Sequence, residues 1–118
     1  MKILVVDDII DITEFLQEML EPEHDVHIES DPHAALDSCK RSHFNLVITD
    51  YNMPSMNGQI LADALAEHSP KTKVVFLTGI YDTSSICSVN ESVIAILRKP
   101  LRWAELNRTL EKVRNAIS

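Results

Sequence analysis

Apolar positions fall along the chain in short runs separated by stretches of helical spacing. The runs are Ile3-Leu4-Val5-Val6, Val26-His27-Ile28, Leu46-Val47-Ile48, Val74-Val75-Phe76-Leu77 and Val93-Ile94-Ala95-Ile96-Leu97. They are rich in β-branched residues, and four are nearly continuous, which predicts strands buried on both faces of a parallel sheet. Between them, Ile12, Phe15, Leu16, Met19 and Leu20 make one apolar helical stripe. A second helix is expected to open at Asp31-Pro32, with Asp as cap and Pro at the first position, turning Ala35, Leu36 and Cys39 inward. A third follows Gly58, carries Ile60, Leu61, Ala64 and Leu65, and ends near Ser69-Pro70. The last repeats Trp103, Leu106, Leu110, Val113 and Ile117 at steps of three and four. Trp103 is expected to pack near the start of that helix. Residues 79–92 are crowded with Thr83, Ser84, Ser85, Ser88 and Asn90, so any helix there should be short. Strand and helix thus alternate five times, and right-handed crossovers turn that order into a doubly wound open α/β sheet.

Composition narrows the picture. The 118 residues carry 11 Lys+Arg against 18 Asp+Glu, a formal charge of 11 − 18 = −7, with 45% hydrophobic and 25% charged residues. This suits one ordinary soluble domain with a core of its own. The acidic balance argues against nucleic acid or an anionic membrane as this domain's partner. No apolar run approaches the roughly 18 residues of a membrane span. Two distant cysteines, Cys39 and Cys87, and a start that runs directly into a strand lead us to expect a reduced, cytoplasmic protein without a signal peptide. The sequence stops soon after the last helix, so no output domain is expected within it.

The candidate chemistry sits where strands end. Asp7 and Asp8 follow the first strand, Asp50 the third, Thr78 the fourth and Lys99 the fifth. In an open parallel sheet those ends form one edge, where ligands bind at the reversal of strand order. Three carboxylates gathered there repel one another and call for a cation. With oxygen ligands only, and no His or Cys at ligand spacing among His24, His27, His33, His43 and His68, Mg²⁺ is favoured over Zn²⁺. Taken singly, an Asp pair after a strand is usually a loop or cap, a lone Lys is usually a solvated charge, and Met53-Pro54 and Asn57-Gly58 read as turn chemistry.

Together, Val5-Val6-Asp7-Asp8, the run from Asp50 to Gly58, Leu77-Thr78-Gly79 and Lys99-Pro100 resemble the response regulator receiver domain of bacterial two-component signalling. The resemblance covers nearly the whole chain, so residues 1–118 are expected to form one receiver domain. It implies a flavodoxin-like fold of strand order 2-1-3-4-5. It further implies a phosphoacceptor at Asp50, and Mg²⁺ held by Asp8, Asp50 and the Asn52 backbone carbonyl with Asp7 positioning the ion. Lys99 and Thr78 would meet the phosphoryl oxygens, and Lys99-Pro100 would be cis. The phosphodonor would be a sensor histidine kinase or a histidine phosphotransfer protein. Phosphorylation would switch a protein contact surface, and the domain's chemistry would be self-directed phosphotransfer and autodephosphorylation, not turnover of an external substrate. Ile80 would flank the path of attacking water.

Three features depart from the family pattern. Ile9 stands where many relatives carry an acidic or amide residue, Ile96 replaces the usual switch aromatic, and Asn90-Glu91-Ser92-Val93 replaces the usual Gly-Ala. They motivate one alternative, a degenerate receiver acting as an interaction module without phosphorylation. A Mg²⁺-dependent aspartyl phosphohydrolase is a further one, but such enzymes need an acid two residues past the nucleophile, where Asn52 stands, and a substrate cap.

Overall fold

The computed structural model describes residues 1–52, 56–79 and 91–117, the last without its side chain. Its elements are β1 (Lys2–Val6), α1 (Ile10–Leu20), β2 (Asp25–Glu29), α2 (Pro32–Arg41), β3 (Leu46–Asp50), α3 (Gly58–His68), β4 (Lys73–Thr78), β5 (Val93–Arg98) and α4 (Trp103–Ile117). All five strands are parallel, in the order β2-β1-β3-β4-β5. The expected strand order is therefore the observed one. Expectations for Met53, Pro54, Ser55, Ile80, Cys87, the polar segment through Asn90 and the Ile117 side chain lie outside the described residues.

Period-two alternation along the central strands splits the core into two layers. Ile3, Val5, Leu46, Ile48, Val75 and Leu77 pack with Leu16 and Leu20 of α1 and with Leu106, Leu110 and Val113 of α4. Leu4, Val6, Val47, Val74 and Phe76 turn the other way, onto Ala35 and Cys39 of α2 and Leu61, Ala62 and Leu65 of α3. Helix ends follow the local chemistry: the Asp31 side chain accepts from the His33 N–H with Pro32 behind it, and Asn57 accepts from the Ile60 N–H.

Several positions differ from expectation. β5 is not covered on both faces: of Val93–Leu97 only Leu97 is buried, and Ile96 is 38% exposed. It is an edge strand of the sheet, and α4 covers one of its faces. Phe15 (49% exposed) and Ile60 lie at the margins of their stripes, off the sheet. Trp103 is half exposed because it begins α4, a turn ahead of Leu106, where the helix meets the core. Asn57-Gly58 is a helix start, not a turn. Gly58 is the first residue of α3 and has no positive φ. It is needed for close approach, since a Cβ there would lie 3.0 Å from Tyr51 Cα, 3.2 Å from the Asp50 carbonyl oxygen and 3.2 Å from Phe76 Cε1.

Candidate phosphoacceptor site

Register and alternation bring the acidic residues together. Val6 pairs with Thr49, so the residues that follow, Asp7 just past β1 and Asp50 at the end of β3, are neighbours, and both continue the alternation facing α1 and α4. Leu97 pairs with Leu77 on that same face, and two residues on, Lys99 returns to it. One ligand oxygen from each of Asp7, Asp8 and Asp50 lies within 4.8 Å of the others. Lys99 Nζ stands 3.2 Å from Asp7 Oδ2 and 3.4 Å from Asp50 Oδ1. Asp7 is fully buried, Asp50 nearly so, and Asp8 is exposed.

Asp7 has a second task at the start of α1. Ile9, the N-cap residue, has no side-chain acceptor, and the Ile9 N–H donates to Asp7 Oδ1 at 2.9 Å. The cap reading of the acid pair therefore holds for Asp7, a side chain that also belongs to the acid cluster. Around Asp50 the backbone is tightly held: Tyr51 N–H donates to the Leu77 carbonyl at 2.8 Å, and Gly58 N–H to the Tyr51 carbonyl at 2.6 Å. The Tyr51 and Phe76 rings meet edge to face with centroids 5.2 Å apart. Thr78 is buried at the end of β4, its hydroxyl 3.5 Å from the Gly79 carbonyl, and its own carbonyl accepts from the Lys99 N–H at 2.8 Å. The Lys99-Pro100 peptide bond is cis.

Electrostatics set what the site can take. Burial pushes the carboxyls of Asp7 and Asp50 above the ordinary carboxylate range, and the Lys99 ammonium pulls both back. Three carboxylates against one ammonium leave two negative charges uncompensated when all are ionised. An oxygen-only donor set with that surplus fits a hard divalent cation, and the cluster could hold one.

The sequence gives no direct sign of the Asp7–Lys99 pair, nor of the close approach at Gly58. Only strand parity, counted through the register, would have shown that Asp7, Asp50 and Lys99 share a face. An apolar cleft of about 370 Å³ beside the site, lined by Ile12, Phe15, Leu77, Pro100 and Leu101 among others, was also not foreseen. Ile96, in contrast, lies on exposed β5, apart from the acid cluster.

The response regulator receiver domain family model matches residues 3–111. A response regulator receiver protein of Brucella abortus, CpdR, is 29% identical over 95% of both chains. Chemotaxis protein CheY-3 of Vibrio cholerae is 30% identical over 96% of this chain and 91% of its own. An uncharacterized response regulatory protein of Yersinia pestis is 32% identical over 96% of this chain, which spans only 48% of that protein. Among solved structures, a response regulator receiver domain protein from Clostridium thermocellum superposes with a TM-score of 0.86 at 29% identity, covering 98% of this chain and 93% of its own. Likeness of sequence and likeness of fold thus lead to the same place, and the chain belongs to the response regulator receiver domain family of two-component signalling.

Proposed function

We propose that this receiver accepts a phosphoryl group on Asp50 from the phosphohistidine of a sensor kinase or phosphotransfer protein, in the cytoplasm, and changes a protein contact in response. The observation that carries this reading is the position of the Asp50 carboxylate, at the rim of the sheet within 4.8 Å of two other acids and 3.4 Å from the Lys99 ammonium. In the reaction an Asp50 oxygen attacks phosphorus in line, the phosphorus–nitrogen bond of the donor breaks, and its electron pair stays on the imidazole. Asp50 is left as an acyl phosphate. Lys99 then exchanges its carboxylate partner for a phosphoryl oxygen. The Thr78 hydroxyl, which among the described residues makes one long 3.5 Å bond to its neighbour's carbonyl, has a proton to donate to another.

Asp7, Asp8, Asp50 and the Asn52 carbonyl are the residues that would hold Mg²⁺, which when bound supplies charge neutralisation for the phosphoryl oxygens. Ile9 and Ile10, exposed at the start of α1 beside the acids, offer an apolar landing surface for the donor. Ile96 and Pro100, flanking the end of β5, are where a response would first be felt.

The test is incubation with acetyl phosphate and Mg²⁺, read by intact mass and peptide mapping. One phosphoryl group is expected, on Asp50, and none in Asp50→Asn. Full labelling of Asp50→Asn would refute the assignment, and a wild-type chain that takes no phosphoryl group would leave an interaction module in its place.

A further inference from the structure

A recess of about 410 Å³ opens at the edge of the sheet opposite the acid cluster, lined by His43, Asn45, Pro70, Lys71, Lys73 and Ala116. We propose that it binds a small organic phosphate, its anionic end on Lys71 and Lys73 and a compact body against Pro70 and Ala116. This site is independent of the phosphoacceptor reading. Lys73 opens β4 and Thr78 closes it, so the two sites stand about 17 Å apart, at roughly 3.3 Å per extended residue.

Charge is the first argument. Acids outnumber bases in this chain, 18 to 11, yet among the described residues no carboxylate lines the recess and neither lysine is in an ion pair. The nearby helix ends carry bases of their own in their last turns, Lys40 and Arg41 in α2, His68 in α3, and Arg114 in α4, whose Ala116 lines the recess. Glu91 belongs to an adjoining hollow that shares Pro70 and Lys73.

The frame around the lysines is built. Lys73 N–H donates to the Asn45 carbonyl at 3.0 Å, and Asn45 Oδ1 accepts from the Lys2 N–H at 2.8 Å. That fixes the Asn45 amide, leaving its NH₂ end as the donor it can offer. Thr72 is buried, donates to the Phe44 carbonyl at 2.7 Å and meets Ser69 Oγ at 2.8 Å. The segment carrying Lys71 and Lys73 is thereby tied to the end of β3's approach. Shape selects the class of ligand. A concave site within the range of about 300–1,000 Å³ suits a small molecule better than a flat acidic protein surface, and it is larger than a bare phosphate needs.

ADP and pyrophosphate, each without Mg²⁺, serve as probes in amide chemical-shift titrations at physiological ionic strength. Saturable shifts are expected at Asn45, Lys71, Thr72 and Lys73 with ADP, at a Kd of about 0.1–1 mM, and weaker ones with pyrophosphate, while Asp8 and Asp50 stay still. Lys71→Gln and the Lys71→Gln/Lys73→Gln pair should weaken ADP binding, the pair by about tenfold or more. The proposal is overturned if shifts do not saturate, if matched NaCl reproduces them, or if the double variant binds as well as wild type. It is also overturned if an oligoglutamate peptide binds there and ADP does not. Acetyl phosphate labelling of the double variant separates this result from the fate of Asp50.

Discussion

The ammonium of Lys99 lies 3.2 Å from the buried carboxylate of Asp7 although 92 positions separate them in the chain. It is marginally closer to Asp7 than to Asp50, at 3.4 Å. Lys99 thus closes the sheet edge electrostatically, joining the end of β5 to those of β1 and β3.

Removing that ammonium should expose the cost of the cluster. Lys99→Ala, without divalent metal, is expected to lose about 1–3 kcal/mol of stability, since two buried carboxylates lose their charged hydrogen-bond partner. Urea unfolding with and without Asp7→Asn checks this. In the Asp7→Asn background the loss should shrink, because one of the two acids is already neutral.

Mg²⁺ should raise the melting temperature of the wild-type chain in a saturable way, because the three acids that would hold it come together only in the folded state. Asp8→Ala should abolish most of that rise while leaving the metal-free melting temperature unchanged or higher, as an exposed repelling charge is gone. Chelation by EDTA should return wild type to the metal-free value. Melting curves at several Mg²⁺ concentrations decide the matter.

Gly58→Ala should be destabilising by about 1–3 kcal/mol despite the better helix propensity of Ala. The added methyl meets the backbone of Tyr51 and Asp50, neither of which can rotate away. Gln59→Ala, one residue on, should be close to neutral by the same unfolding measurement.

Burial raises the Cys39 thiol to about 11, so the fold favours its neutral form. In a Cys87→Ser background, iodoacetamide should react with the native protein far more slowly at pH 8 than with the urea-unfolded chain. Native reactivity should climb as pH approaches 11, whereas the unfolded thiol ionises near 9. Equal rates in the two states at pH 8 would contradict the burial.

Apolar runs and capping residues made most of the fold legible, because each acts locally. Asp31-Pro32 opened α2 as expected, and all five runs became strands in the anticipated order. The acids and Lys99 were legible as strand-end residues, but their pairing was not, since it depends on register between strands distant in sequence. Exposure of Phe15, Ile60, Trp103 and Ile96 escaped for a related reason. Periodicity says which side of an element is apolar, not how far the neighbouring layer extends to cover it.

The seat of Gly58 makes the molecule mechanically lopsided. On one flank of the end of β3, α3 rests against the backbone of Asp50 and Tyr51 with no slack left. On the other, β5 shifts register beside Val74 and Val75 and stands partly open to solvent. A push delivered at Asp50 meets an anvil toward α3 and a spring toward β5, so displacement should run across β4 into the sheet's free margin.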